Sequence, residues 1–434
     1  MNIEPMQTLF EFFSLANPNV RYVVSGTMLL TSSAAIVGSF TLLKKKALLG
    51  DATAHAVLPG VCLAFMLTGT KHSIYLAIGA FATGWLSLLF IDIMTAQSKI
   101  KEDTAIALVL SVTFGIGTLL LSIIQKSGNA AQVGLNNFLF GKAAALLGDD
   151  LLTLAILSLV IMTIVMMFFK EFTLVAFDKA FAQSIGLPVK RLEFLFTSLT
   201  VLAIVVGIRA VGIVLMSAML ITPAAAARFW TDRLTSMVLL AAVLGLVAGL
   251  AGSLISYTAP AMPTGPWIVL IVTLIAYSSF LLAPRKGLLI RKLQQHRHQR
   301  KALAENILKL FYELGEVERE YFRNRPVDEL LAHRPMPLSR LMSGLKGLQQ
   351  QGMVQQRGEK WRLTGIGKSQ GQQVSQRHQL WELYLTRYLK IKPDHVHEDA
   401  ESIEHVLTPA LTKELRKLLV SPTKRNSLAS SKNA

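Results

Sequence analysis

Cysteine is nearly absent from this chain. Cys62 stands alone in an apolar stretch, which excludes an intrachain disulfide and any metal site built from several thiolates, and it reads as a small packed hydrophobe. Acidic residues are scarce as well: 27 Asp and Glu stand against 44 Lys and Arg, a formal charge of +17. Residues 1–19 lack the basic start and apolar centre of a secretory leader and carry Glu4 and Glu11 instead, so the first apolar segment is expected to stay in the membrane. Most telling is the lack of charge over residues 23–282. With 52% hydrophobic residues and a mean hydropathy of +0.46, that deficit excludes an ordinary soluble protein and points to a chain that crosses a bilayer many times.

What is present is a series of apolar runs long enough to span. Nine are read, at residues 22–43, 51–69, 73–96, 104–125, 150–169, 192–208, 210–229, 235–257 and 265–283. One set of connections holds Lys44-Lys45-Lys46, Lys99, Lys101, Lys170, Lys179, Lys190, Arg191, Arg228, Arg233, Arg285 and Lys286, and the opposite set is poor in basic residues. The positive-inside rule puts the rich set in the cytoplasm, with the N-terminus outside and the C-terminal region inside. Gly and other small residues in the spans permit close helix contact, and Pro59 and Pro223 mark breaks suited to a translocation route. After residue 285 the composition turns polar, and residues 285–434 hold 28 basic and 15 acidic residues.

Two features stand out within the apolar half. Asp51 and His55, at i and i+4, project from one helix face in a segment where charge is costly. Together they offer a hard oxygen and a borderline nitrogen to a divalent cation, and a metal-free Asp–His contact is the alternative. The connection 170–193 places Phe177, Ala180, Phe181 and Ser184 at helical spacing before Gly186 and Pro188. Such a helix could lie on the membrane surface or dock in a groove of a cytoplasmic partner.

The order of several motifs carries a resemblance. These are Gly50-Asp51-Ala52-Thr53-Ala54-His55-Ala56-Val57-Leu58-Pro59-Gly60, Phe138-Leu139-Phe140-Gly141, Phe177-Asp178, Gly186-Leu187-Pro188-Val189, Leu220-Ile221-Thr222-Pro223-Ala224-Ala225-Ala226-Ala227-Arg228 and Pro263-Thr264-Gly265-Pro266. Residues 20–287 thereby resemble the permease subunits of ABC transporters that import manganese, zinc or iron(II). The resemblance implies an all-α polytopic bundle in the bacterial cytoplasmic membrane that pairs with a second permease subunit. It also implies a separate cytoplasmic ATPase, an extracytoplasmic metal-binding protein, no permanently bound cofactor, and a divalent metal as substrate. On the family pattern Asp51 and His55 fall at metal-coordinating positions, and Phe177, Asp178, Phe181 and Gly186 at the ATPase-docking loop. The chain itself carries no phosphate-binding loop: Gly365-Ile366-Gly367-Lys368-Ser369 looks like the end of one, but Arg362 stands where its first Gly belongs.

The polar region divides into a basic linker at 287–301, a winged-helix-like domain at 302–372, dimerisation-type helices at 373–420 and a polar, disordered end at 421–434, following a permease domain at 1–286. Helix, turn, helix and two short strands around Gly358 give the winged-helix order, with Arg340, Lys346, Arg357 and Lys360 available to DNA phosphates or anionic lipid. Residues 302–420 resemble iron- and manganese-dependent repressors. On that pattern His378, Glu401, Glu404 and His405 match sensor-metal ligands, with Glu401, Glu404 and His405 on one helix face. Glu305 fills one of two acidic positions on the first helix, and Leu308 stands at the other. His296 and His298 could bind metal, and a solvated basic linker is the plainer reading. The leading reading is a metal-import permease, for manganese or iron(II) ahead of zinc, with a metal-sensing regulatory domain. The alternative is a membrane-tethered, metal-responsive DNA-binding regulator.

Overall fold

The computed structural model describes residues 10–44, 46–70, 73–126, 141, 148–258, 262–284 and 286–388. The chain divides into two compact units, Met1–Arg291 and Lys292–Ala434.

In the first unit every described regular element is helical. In order these are α1 (Pro18–Leu43), α2 (Ala47–Thr68), α3 (Ser73–Gln97), α4 (Glu102–Lys126), α5 (Gly148–Met167), α6 (Phe169–Phe177), α7 (Lys179–Ser184), α8 (Val189–Val211), α9 (Ile213–Trp230), α10 (Leu234–Thr258) and α11 (Thr264–Leu282). Helix is what an apolar chain must form in lipid, because every backbone polar group finds its partner within the segment. Asn17 caps α1, its Oδ1 accepting from the Asn19 N–H at 3.0 Å, and Pro18 follows where no N–H is needed.

A helix stands at each of the nine expected spans, with two refinements. The fifth span bends by 67° between α5 and α6. The break expected at Arg209 lies at Gly212, whose φ of +92° ends α8 and starts α9, a helix of 18 residues. At 1.5 Å per residue α9 is about 27 Å long, just under the hydrocarbon thickness. Among the described residues seven helices are long and apolar enough to cross alone, and the bent pair adds an eighth if it is one broken span rather than a re-entrant loop.

Small residues set the packing. A Cβ placed on Gly60 of α2 would lie 2.1 Å from the Gly79 carbonyl oxygen of α3, and one on Gly38 of α1 would lie 1.7 Å from the Leu220 oxygen of α9. These helices touch backbone to backbone, the contact that dispersion rewards in lipid. Thr27 of α1 and Ser253 of α10 add a hydroxyl–hydroxyl hydrogen bond of 2.9 Å.

Helix α12 (Leu288–Glu318) begins before the second unit, and its later residues open that unit's fold, followed by β1 (Arg325–Pro326), α13 (Val327–His333), α14 (Leu338–Gln350), β2 (Val354–Arg357), β3 (Lys360–Leu363) and α15 (Gly365–Tyr388). The sheet order is β1-β3-β2, all antiparallel, with Arg357 opposite Lys360 across the turn at Gly358. Its core gathers Ile307, Phe311, Leu330, Leu341, Leu345 and Trp361. This is a winged helix. The stretch 287–301, expected as a linker, is helical because its Lys, Arg, Gln and Leu residues favour helix, and most of it is solvated.

Candidate metal centre

Asp51 and His55 lie four and eight residues into α2, about 6 and 12 Å from its start at the rise of an α-helix. His55 Nε2 stands 3.6 Å from Asp51 Oδ1, too far for a hydrogen bond. A cation about 2.1 Å from both atoms would subtend an angle of about 118°, close to tetrahedral or trigonal values. The side chains are 39% exposed for Asp51 and 16% for His55, so the pair is open on one side. The edge of Phe114 from α4 meets the imidazole with ring centroids 4.9 Å apart, fixing its plane. Nδ1 of His55 is buried without a hydrogen-bond partner among the described residues.

Pro59 lies inside the continuous helix α2, but it has no N–H to offer the carbonyl of His55 four residues earlier. Among the described residues, no group of three or more His, Cys, Asp or Glu side chains comes together to hold a metal. The pair therefore offers two side-chain ligands and leaves other coordination positions open, which suits a cation in transit. Phe114 and the His55 carbonyl escaped the sequence reading. Phe114 had no signal, whereas the i, i+4 relation of His55 to Pro59 was visible.

The connection after α5 forms two short helices rather than one. Asp178 separates them, its Oδ1 accepting from the Phe181 N–H at 2.9 Å as the cap of α7, and Gly186 ends the turn at φ +85°. Phe177 is 65% exposed, and Phe181 and Ile185 are exposed beside it, an apolar edge flanked by Asp178 and Lys179. On the inner side Phe172 packs edge-on against Phe40 of α1 and Phe196 of α8. The four residues expected to dock a partner are thus brought together.

In the second unit Arg340 and Lys346 lie exposed on α14, and Arg357 and Lys360 are exposed on the wing. Glu305 on α12 faces Arg377 of α15 at 3.4 Å and Lys301 at 3.9 Å. His378 is buried beside Arg377, 3% exposed, and Leu308 sits in the core of the unit. Glu401, Glu404 and His405 lie outside the described residues, as do 389–434 as a whole and the motif residues Phe138, Leu139 and Phe140. Arg325 is a residue the sequence did not flag. Only 1% exposed, it donates to Glu318 at 2.7 and 3.2 Å and to Glu329, and it holds the Glu318 carboxyl below the usual range with help from Arg323.

Residues 17–283 match the ABC 3 transport family, and residues 364–427 match the iron dependent repressor, metal binding and dimerisation domain. The chain is 40% identical to the manganese transport system membrane protein MntC of Bacillus subtilis, over 88% of this chain and 87% of that one. It is 42% identical to the zinc transport system membrane protein TroC of Treponema pallidum, over 67% of this chain and 96% of that one. The solved structure of PsaBC from Streptococcus pneumoniae in complex with Fab aligns with a TM-score of 0.59 at 31% identity, covering 65% of this chain and 99% of that chain.

Proposed function

The chain belongs to the ABC 3 transport family, and from that premise we propose that it is the permease subunit of an importer for a divalent transition metal, manganese or iron(II) ahead of zinc. The observation that carries the reading is the Asp51–His55 pair, a carboxylate oxygen and an imidazole nitrogen 3.6 Å apart on a membrane helix, spaced to share one cation. Relatives named for manganese and for zinc transport support the metal class, and the pair's chemistry accepts either.

The ATPase belongs to a separate cytoplasmic subunit that seats on the exposed edge of Phe177, Asp178, Phe181 and the Gly186 turn. An extracytoplasmic binding protein delivers the ion. The basic connections and the second unit face the cytoplasm. A second permease copy presenting its own pair would raise the ligand set from two side chains to four. The second unit acts as a cytoplasmic sensor that lowers uptake when metal is plentiful, with His378 and Glu305 as its described candidates and Glu401, Glu404 and His405 as further ligands.

The test is ATP-driven uptake of labelled manganese, iron(II) and zinc into proteoliposomes holding this chain, its ATPase and its binding protein. Uptake that requires all three components supports the reading, and its absence under every metal sinks it. One observation favours a second reading, a membrane-tethered regulator: Arg340 and Lys346 on α14 and Arg357 and Lys360 on the wing are exposed as a DNA-binding winged helix would need. Retention of a specific duplex by the full chain in nanodiscs, lost on Arg340→Ala with Lys346→Ala, would favour it.

A further inference from the structure

A cavity of about 390 Å³ opens at the end of the bundle where α1 and α3 stop and α2 and α8 begin. One wall is apolar, from Leu49, Leu88 and Phe196. The rest carries three ammonium groups, two carboxylates and threonine hydroxyls. Both carboxylates are already matched: Glu193 lies 2.9 Å from Lys179, and Asp92 lies 3.8 Å from Lys46, which also reaches Glu102 at 3.3 Å. With Glu102 counted, three carboxylates face the three ammonium groups, and Lys44 is the ammonium left outside these close pairs. Its Nζ sits 4.2 Å over the Phe196 ring, and among the described residues it has no carboxylate within 4 Å. Burial pushes its ammonium down to about 8, with Glu193 opposing and Lys46 and Lys179 adding to the shift.

We propose that this cavity binds a phosphate oxyanion carried by an anionic phospholipid, with Lys44 facing the phosphate and the Leu49–Leu88–Phe196 wall receiving the glycerol and first acyl carbons. The proposal rests on the bundle crossing a membrane and is independent of which metal is carried. Basic pockets between membrane helices at the level of their ends are where acidic headgroups settle. A cation left without a counter-ion in a part-buried site is costly, and a phosphate oxygen removes that cost. Inorganic phosphate shares the chemistry but would leave the apolar wall and most of the volume unused. Because Lys179 belongs to α7, an occupied cavity would join the proposed ATPase-docking segment to the turn between α1 and α2.

The experiment uses the full chain, delipidated in detergent. Native mass spectrometry counts retained phosphatidylglycerol against phosphatidylcholine, and equilibrium dialysis measures binding of labelled inorganic phosphate. The parent should retain the anionic lipid, and Lys44→Met should weaken that retention about fivefold, the worth of one lysine at a membrane surface. Lys126→Met, at the far end of α4, should leave it unchanged. If inorganic phosphate binds and displaces the lipid from the parent but not from Lys44→Met, the oxyanion site stands and its source includes the free ion. Equal binding of both probes by parent and Lys44→Met, or an equal loss in Lys126→Met, overturns the proposal. Matching thermal midpoints of parent and variants separate a lost site from a misfolded chain.

Discussion

Replacing Asp51 by Asn keeps the size of the side chain and removes one negative charge from the pair. With Asp51 39% exposed, the attraction is taken at the dielectric of water rather than of a protein interior. A divalent cation about 2.1 Å from a carboxylate oxygen then gains about 4 kcal/mol, roughly three orders of magnitude in occupancy. The amide oxygen of Asn returns part of this as a neutral ligand, so half-maximal uptake should need about 100- to 1000-fold more metal. The assay is ATP-driven uptake of labelled manganese into proteoliposomes with ATPase and binding protein present, and ATP hydrolysis is followed in the same vesicles. Hydrolysis should survive while uptake collapses, because the pair lies on α2 and not on the α6–α7 edge. His55→Ala should damage zinc uptake more than manganese uptake, since the imidazole is the softer ligand. If Asp51→Asn imports manganese within about threefold of the parent, the charge argument fails and the pair is a structural contact.

Three further outcomes follow from the packing and the charges. A Cβ on Gly371 of α15 would lie 2.8 Å from the Leu308 carbonyl oxygen, so Gly371→Val should cost about 1–3 kcal/mol and speed hydrogen exchange in α12 and α15, whereas Gly347→Ala, facing open space, should gain up to about 1 kcal/mol. Arg325→Met removes the buried partner of Glu318 and Glu329 and should destabilise the winged helix, read as faster exchange in β1 and β3, with part recovered on adding Glu318→Gln. The Lys44 ammonium titrates near 8 when folded and near 10.5 when unfolded, so its burial cost is full below 8 and is relieved as pH rises between the two values. The parent's thermal midpoint should therefore climb relative to Lys44→Met over that window, while retained anionic lipid falls.

The membrane half was legible because a bilayer enforces a simple rule: an apolar run of sufficient length becomes a helix. The places where the reading shifted are those where apolarity carries no information about backbone direction. Nothing in the greasiness of 150–177 distinguishes a straight span from one bent at Met167, and only φ at Gly212 decided a break that Arg209 had suggested. Asp51 and His55 were visible because polar residues are rare in such a segment. Phe114 was not, because one aromatic among many apolar residues gains meaning only once α2 and α4 are side by side. In the second unit the helix periods revealed the core, but β1 is two residues long and Arg325 draws its partners from both sides of it, so their union is a property of the fold.

Pro59 gives α2 one place where bending is cheap. The hydrogen bond that a bend would break, from residue 59 to the His55 carbonyl, is missing from the outset, so the helix can change direction one turn beyond the pair with little enthalpic cost. Gly60 follows at once, and its backbone lies against that of Gly79 with no side chain between them. A swing of the far part of α2 is therefore transmitted to α3 as a shift of backbone on backbone. The pair proposed to hold the ion and the two residues that would let the helix bend all fall within the ten residues 51–60.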